Sequence, residues 1–209
     1  MDGQSLSLLK VLGFDPSLNN WGIASGTYDT VTKTLSIDTL GVINPVFTDN
    51  KQVRQNSKDL ERARQLAAGA IEAAVGFTCI FVEVPVGSQS ARAMASYGIC
   101  VGVLGALRAQ GIPFFEVSPT EVKMATIGKK TASKTDIINR AVALHPQANW
   151  PRMMRKGVHS ISVAKAEHMA DAIGAIEAGI HTEQFKIMLP FMATNHNPFT
   201  PKESVCKSD

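Results

Sequence analysis

The feature that most constrains the fold is a strand, helix and strand in the middle of the chain. Residues 78–82 form a continuous apolar run that ends at Glu83, which is typical of a strand buried on both faces. A long helix rich in Ala and Gly is predicted over Ser90–Gln110, and a second strand over Pro113–Val117. Because strands joined by such a helix pair in parallel through a right-handed crossover, we expect an α/β architecture.

Three shorter apolar segments precede this unit, and polar turns separate them. They predict antiparallel strands over Leu8–Phe14, Trp21–Tyr28 and Thr34–Ile43. A polar loop over 44–56 and a helix over Ser57–Val75 then lead into the central apolar run. The order therefore predicts a mixed five-stranded sheet, three antiparallel strands and then a βαβ unit, flanked by helices.

The remaining sequence completes one domain. Helices are predicted over Thr120–Ile127, Ser133–Leu144 and Ala164–Gly179. A chain of 209 residues is long enough for one well-cored domain and short for two. We therefore expect a single domain over residues 1–185. Prolines and polar residues near the end predict a poorly ordered tail over 186–209.

Composition argues against a membrane protein and against a disulfide or zinc framework. The uncharged stretch Ala93–Leu107 is too short to span a bilayer, and no signal-peptide pattern opens the sequence. The three cysteines, Cys79, Cys100 and Cys206, are widely spaced and match no zinc motif. We expect reduced thiols in a cytoplasmic protein.

Positive charge is concentrated in one part of the chain. Residues 121–160 hold eight Lys or Arg and two acids, on a chain whose formal net charge is only +3. Such a stretch is typical of a surface that binds phosphate. A solvated helical face would have the same composition, so the two interpretations stay open.

Three carboxylates occupy positions that favour a shared site. Asp15 ends the first predicted strand, Glu83 ends the central one, and Asp171 lies in the last helix, three residues after His168. Neighbouring strands that end at the same sheet edge bring their last residues together, and a helix beside that edge can add a third acid. Each residue also has an ordinary structural explanation, since Asp before Pro commonly starts a turn and a helical His is commonly exposed. Only the joint pattern indicates chemistry.

Clustered carboxylates repel one another unless a cation lies between them. Oxygen ligands favour hard ions such as Mg²⁺, with Mn²⁺ as a substitute. Two such ions at one site are a common device for in-line displacement at a phosphodiester. The pattern therefore predicts a two-metal phosphodiesterase site.

Five segments, in order over residues 8–180, resemble the RuvC-type junction resolvases, which have an RNase H-like fold. The segments are Val11–Ser17 with Trp21–Ala24, Phe81–Glu83 before the long helix, Pro113–Val117, Glu121–Gly128 and Ser133–Thr135. The resemblance implies a homodimeric endonuclease that cuts four-way (Holliday) junctions by paired nicks. It also implies 5′-phosphate and 3′-hydroxyl ends, roles in DNA recombination and repair, and the cytoplasm of a bacterium or of a phage's bacterial host.

The resemblance assigns roles to particular residues. Asp15, Glu83 and Asp171 match the family's metal-binding acids, and His168 matches a fourth active-site position that also binds metal or acts on water. Glu167 is one residue away and is an alternative for that position.

Basic residues and the long helix receive roles as well. Lys123 and Lys134 match positions near the scissile phosphate or the junction backbone, and Lys123 is also a catalytic candidate. The basic stretch supplies four more candidate DNA contacts: Lys129, Lys130, Arg152 and Arg155. Helix Ser90–Gln110 matches the family's dimer-forming helix, and its small residues permit close packing. Without the resemblance, the same composition favours an ordinary core helix.

Two departures from the family pattern affect the substrate. Family members often place an aromatic residue shortly after the catalytic Glu, where this chain has Val84, Pro85 and Val86. The segment 147–165 is longer than its counterpart in the family and contains Trp150 among basic residues. It is either a loop that grips DNA or a solvated insertion. Forks, flaps and replication intermediates therefore stay open as alternative substrates.

Two other function classes fit the sequence less well. An actin- or sugar-kinase-like ATPase shares the sheet topology, but it needs a second phosphate loop and usually a longer chain, and the sequence has no such loop. A non-catalytic DNA-binding relative is disfavoured because all of the acids are present.

Overall fold

A computed structural model describes residues 8–47, 52–155 and 158–194 of the chain. Its main sheet has five strands in the order β3-β2-β1-β4-β5, and a separate hairpin pairs β6 with β7. The strands are β1 (Leu8–Asp15), β2 (Trp21–Asp29), β3 (Leu35–Ile43), β4 (Cys79–Glu83), β5 (Phe115–Val117), β6 (Arg152–Arg155) and β7 (Val158–Ile161). The helices are α1 (Gln55–Ala74), α2 (Ala91–Ala109), α3 (Pro119–Ile127), α4 (Lys134–Leu144), α5 (Val163–Gly179) and α6 (Glu183–Thr194).

The predicted sheet is confirmed, including the direction of each pair. Strand β2 pairs antiparallel with both β1 and β3. Strand β4 pairs in parallel with β1 on one side and with β5 on the other. The structure thus has the mixed α/β sheet that three antiparallel strands and a βαβ unit predict.

The central strands are apolar on both faces because helices cover both sides of the sheet. In β1, Leu9 and Val11 belong to the core under α5, whereas Leu12 and Phe14 belong to the core under α1 and α2. Strand β4 alternates in the same way. Since successive side chains of a strand point to opposite faces, a continuous apolar run is what a two-sided core requires.

Helix α5 lies directly against the sheet, and glycines permit this close approach. A Cβ atom on Gly13 would lie 2.0 Å from the carbonyl oxygen of Ala172, and one on Gly22 would lie 2.1 Å from that of His168. These distances leave no room for any side chain at either glycine. Helix α5 is thereby held across β1 and β2, with its functional residues at the end of β1.

The C-terminal part of the chain differs from the sequence predictions at two places. The expected tail over 186–209 is wrong for its first part, because residues 186–194 continue helix α6. Phe185 and Met192 of this helix are buried in the core, which explains why the segment is helical despite Pro190. Residues 195–209 lie outside the described residues, and the boundary of a single domain at residue 185 stays a prediction.

The long basic segment is not simply a loop, since it contains the β6–β7 hairpin. Its aromatic residue Trp150 is only 5% exposed, and the ring Nε1 donates a hydrogen bond of 2.9 Å to the His145 carbonyl oxygen. The expectation that Trp150 could grip DNA is therefore wrong, because the ring anchors the root of the hairpin. The Asn149 side chain adds a second anchor, since it exchanges hydrogen bonds with both backbone groups of Leu40.

Two expectations from composition concern the rest of the molecule. Within the described ranges, no helix is both long and apolar enough to cross a membrane. Cys79 and Cys100 are buried free thiols, and Cys206 lies outside those ranges.

Candidate active site

Two of the predicted acids lie side by side because of the register of the parallel strands. Phe14 of β1 pairs with Val82 of β4, and the next residue on each strand is an acid, Asp15 and Glu83 respectively. Both carboxylates therefore stand at the same edge of the sheet, at the carboxyl ends of neighbouring parallel strands. Open α/β sheets commonly bind ligands at this edge.

Helix α5 brings the remaining predicted residues to this edge. His168 and Asp171 are three residues apart and share a helical face. His168 lies against β2, where Gly22 makes room for its backbone. The Nδ1 atom of His168 lies 2.7 Å from Oδ2 of Asp15, so the helix and the strand end are joined by a hydrogen bond.

One cleft of about 470 Å³ collects these residues. Its polar lining consists mainly of Asp15, Ser17, Glu83, Lys123, Lys134, Glu167, His168 and Asp171. Segments far apart in the sequence thus supply four acids, one His and two Lys to a single concave surface. This combination of groups is suited to holding cations and a phosphate.

The carboxyl groups of the cleft repel one another strongly. Burial, with the charges of Asp15 and Asp171, raises the pKa of Glu83 to about 9, although Lys123 opposes the rise. Burial, with the charges of Asp15 and Glu167, raises the pKa of Asp171 to about 7. The cleft therefore holds more carboxylate than it can keep ionised at neutral pH without a compensating cation.

His168 experiences two opposing effects. Burial disfavours its protonated form, but the hydrogen bond to Asp15 and the surrounding carboxylates raise its pKa above the ordinary value. The net effect favours the protonated ring, so the cleft acids and this His are linked in charge as well as in position.

Two lysines reach the cleft from neighbouring helices. Lys123 lies on α3, whose start is fixed by a capping box between Ser118 and Glu121. Lys134 is the first residue of α4, and its Nζ donates a hydrogen bond to Glu167. That hydrogen bond raises the pKa of Lys134. The structure thus pairs Glu167 with Lys134 and His168 with Asp15, and both candidates for the fourth position line the cleft.

The donor set suits a divalent ion. The cleft offers carboxylate oxygens whose mutual repulsion a hard cation would relieve, which fits Mg²⁺ or Mn²⁺. Among the described residues, however, no three acidic, His or Cys side chains stand close enough together to ligate one ion as they are. The residues present fit the metal by chemistry and location, and binding would require their side chains to come closer together.

Three other predicted DNA contacts lie outside the cleft lining. Lys129 and Lys130 are exposed between α3 and α4, and Arg152 is exposed on β6. Arg155 belongs to β6, but its side chain lies outside the described set. The structure therefore places two lysines in the cleft and three exposed basic residues outside its lining.

One aromatic residue of the cleft was not identified from the sequence. Tyr97 of α2 lines the cleft together with Pro85 and Val86. It follows Glu83 by fourteen positions and belongs to no motif. Only its helical face relative to the buried residues of α2 distinguishes it, and that requires knowing how α2 is placed.

Comparisons with known proteins give a likeness of fold. No model of a known protein family matches the chain, and no curated protein matches it. Among solved structures, RuvC from Thermus thermophilus in complex with Holliday junction substrate matches with a TM-score of 0.58 and 17% identity. A second Thermus thermophilus RuvC structure matches with a TM-score of 0.54 and 17% identity. Each match covers 87% of this chain and 96% of the other. At this identity the likeness is one of fold, and the chain therefore has the RNase H-like fold of the RuvC structures.

Proposed function

We propose that this chain is a metal-dependent endonuclease that cuts branched DNA, four-way junctions above all. The observation that carries the proposal is the meeting of Asp15 and Glu83 at neighbouring strand ends with His168 and Asp171 of α5 in one cleft. The Holliday junction bound to the similar RuvC structure supports branched DNA as the substrate class.

Three residues would hold the metal. Asp15, Glu83 and Asp171 supply carboxylates for two Mg²⁺ ions, and Mn²⁺ would substitute for them. When bound, the ions would activate water as the nucleophile and stabilise the leaving 3′ oxygen, which gives 5′-phosphate and 3′-hydroxyl ends. The raised pKa values of Glu83 and Asp171 support this assignment, because the nearby positive charges do not offset burial and the neighbouring acids in the protein alone.

His168 would handle the proton of the attacking water. Asp15 accepts a hydrogen bond from Nδ1–H in the neutral ring, which leaves Nε2 as the basic nitrogen. Asp15 thus orients the ring in the way that a carboxylate orients a catalytic His in other hydrolases. Glu167 is occupied by Lys134, which makes it less suited to this task.

The two cleft lysines would bind the scissile phosphate. Lys123 is partly buried near Glu83, where its charge acts in a less polar environment. Lys134 is largely exposed and would contact the backbone of the strand that enters the cleft. The exposed residues Lys129, Lys130 and Arg152, with Arg155, would contact phosphates farther along the DNA arms.

Helix α2 would form the homodimer. One face is buried through Cys100, Val103, Leu104 and Leu107. On another face, a Cβ atom added to Gly98, Gly102 or Gly105 would meet no atom within 4 Å. Two such faces can approach closely, and a C₂ dimer would offer two cuts to a two-fold junction. The bacterial cytoplasm, or that of a phage-infected cell, is where we place the reaction.

The test is cleavage of a synthetic four-way junction, a Y-fork and a linear duplex, side by side, with Mg²⁺ or with EDTA. We expect paired nicks in the junction that require the metal. Asp15→Asn is expected to bind the junction and leave it uncut, because one carboxylate of the metal site is lost. Cleavage of the fork in preference to the junction would assign the same chemistry to another branched substrate. Failure to nick any branched DNA, or wild-type cutting by Asp15→Asn, would refute the proposal.

A further inference from the structure

The β6–β7 hairpin belongs to a stretch of the chain that carries only positive charge. Residues 147–165 contain four Lys or Arg and no acid, although the whole chain has 18 Asp or Glu. Arg152 of β6 is exposed, and its side chain forms no ion pair or hydrogen bond with a described residue. Exposed cations without acidic partners are typical of a surface that binds a polyanion. Since Arg152 does not line the cleft, this charge belongs to a separate surface.

The hairpin also exposes apolar side chains on both of its faces. Met153 is 45% exposed and Met154 is 67% exposed. Because neighbouring residues of a strand point to opposite faces, the core covers neither face of β6 at this point. A two-stranded hairpin is at best marginally stable by itself. The hairpin is therefore a ribbon that depends on its base for support and is open to a ligand on both faces.

The base of the hairpin is fixed close to the cleft. Trp150 and Asn149 anchor it in the domain. The backbone N–H of Ser162 donates a hydrogen bond of 2.7 Å to the carbonyl oxygen of Pro151, which closes the base. Helix α5 begins at the next residue, and at 1.5 Å per residue its start lies about 8 Å along the axis from His168 in the cleft. Since one turn of duplex DNA spans about 34 Å, an arm that leaves the cleft on this side would pass the hairpin within its first turn.

We propose that the β6–β7 hairpin is a second DNA-binding element, which enters the major groove of a duplex arm beside the cleft. The proposal rests on the proposed nuclease function and adds a site for duplex DNA, separate from the cleft that would hold the branch. The major groove is about 12 Å wide and admits a two-stranded ribbon, whereas the minor groove is about half as wide. Arg152 would contact phosphate at the edge of the groove, and the methionines would contact apolar base edges such as thymine methyl groups.

The charge of the segment favours DNA over a protein as the occupant. An apolar protein surface would cover the two methionines but would leave the four positive charges of residues 147–165 without partners. Duplex DNA carries one negative charge per about 1.7 Å of its axis and offers apolar base edges in the same groove. It therefore matches both kinds of side chain that the hairpin exposes.

The first test places either charge at one exposed residue of the hairpin. Met154→Glu and Met154→Lys are compared for binding to a four-way junction in EDTA and about 0.1 M KCl, where the Debye length is about 10 Å. We expect Glu to weaken binding about tenfold and Lys to strengthen it about as much, because the added charge would lie beside phosphates. A structural role would shift both variants in the same direction, and that result would overturn the proposal.

A second exposed methionine provides the matched control. Met188 of α6 is 43% exposed and lines a groove with Thr78 and Cys79, at the end of β4 opposite to Glu83 and the cleft. Met188→Glu and Met188→Lys introduce the same charges far from the hairpin. Both should bind the junction within about twofold of wild type, because salt screens their charge from the bound DNA. Effects as large as those at Met154 would overturn the proposal, since they would report only the net charge of the protein.

The second test asks whether the hairpin lies in the groove or only on the backbone. Dimethyl sulfate methylates guanine N7, which faces the major groove. With the junction saturated by protein in EDTA, wild type and Met188→Glu should protect guanine N7 in an arm within about one turn of the branch. Met154→Glu should leave these positions reactive. Opposite affinity effects at Met154 without any N7 protection would place the hairpin on phosphates alone and would overturn its entry into the groove.

The outcomes separate this proposal from the proposed function. If wild type nicks junctions with Mg²⁺ but neither Met154 variant changes binding or protection, the hairpin site is refuted and the nuclease function stands. If wild type protects N7 and the Met154 variants shift affinity in opposite directions, but no branched DNA is ever nicked, the hairpin site stands and the nuclease function fails. If wild type does not bind the junction, both proposals fail.

Discussion

Replacing Asp171 by Asn is expected to stabilise the metal-free protein while it abolishes nicking. Burial, with the charges of Asp15 and Glu167, raises the pKa of Asp171 to about 7 from its ordinary value of 3.8. For a carboxyl whose pKa is raised in the folded state, folding takes up a proton. Its contribution is fully favourable below pH 3.8 and is lost as the pH rises through 7. At pH 8 the wild-type protein therefore carries a destabilising charge that Asn lacks.

The magnitude follows from the pKa shift. A rise of about three pKa units costs about 4 kcal/mol of folding free energy at pH 8. Because Asn is itself a buried polar group, removing the charge recovers only part of this cost, and we expect a gain of about 2–4 kcal/mol. For a domain of this size, that gain corresponds to a rise in Tm of roughly 5–15 °C. Near pH 4 the difference between variant and wild type should nearly vanish.

The assay is thermal unfolding of both proteins at pH 8 and pH 4, with EDTA or with Mg²⁺. Mg²⁺ at ten times its Kd should stabilise the wild type by about 1.4 kcal/mol and the variant less. Glu177→Gln is the control, because Glu177 is also a largely buried acid of α5 whose pKa is raised by burial, but it is paired with Arg140 at 2.6 Å. Removing its charge leaves the guanidinium without a partner, which offsets the gain, so this control should not gain stability at pH 8. A Tm of Asp171→Asn at or below that of wild type at pH 8 would refute the reasoning.

Three further predictions address other parts of the molecule. Asp59→Asn should cost about 2 kcal/mol in urea unfolding at pH 7, because the hydrogen bond from Arg92 lowers the pKa of this buried acid to about 2. The stabilisation from the Asp59 carboxylate should be lost as the pH falls from 4 through 2. An unchanged urea midpoint for Asp59→Asn at pH 7 would contradict this prediction. Gly22→Ala should reduce kcat about hundredfold, because its Cβ would lie 2.1 Å from a backbone oxygen of α5, whereas Gly41→Ala, whose Cβ would meet its nearest neighbour at 3.9 Å, should cut normally. Arg152→Ala should reduce the salt dependence of DNA binding by about one phosphate contact in titrations with KCl, and an identical slope would exclude this contact.

The sheet and the acids could be predicted because they depend on local patterns. The apolar runs of β1 and β4 end at Asp15 and Glu83, and two-sided burial makes such runs visible in a sequence. Parallel pairing of β4 with β5 follows from the length of the connecting helix. These predictions needed only periodicity and the position of the first polar residue.

The parts that could not be predicted depend on long-range contacts. Helix α6 contains Pro190, which ordinarily indicates a helix end, and its stability comes from burial of Phe185 and Met192 in a distant core. The base of the β6–β7 hairpin is held by a hydrogen bond between the Asn149 side chain and the backbone of Leu40, 109 residues away in sequence. Tyr97 belongs to the cleft only because α2 is placed beside α3 and β4. No local pattern reports any of these contacts.

This division suggests how chemistry and substrate choice are separated in the molecule. The positions of the acids are fixed by the register of β1 and β4 and by the glycines that let α5 pack close to the sheet. A change in that packing would therefore move several of the acids together. Tyr97, Val86 and Arg152, in contrast, project from the edges of that frame and can change without disturbing it. Under the proposed function, the cleft acids would carry the hydrolysis, and the cleft wall and the hairpin would decide which branched DNA is cut.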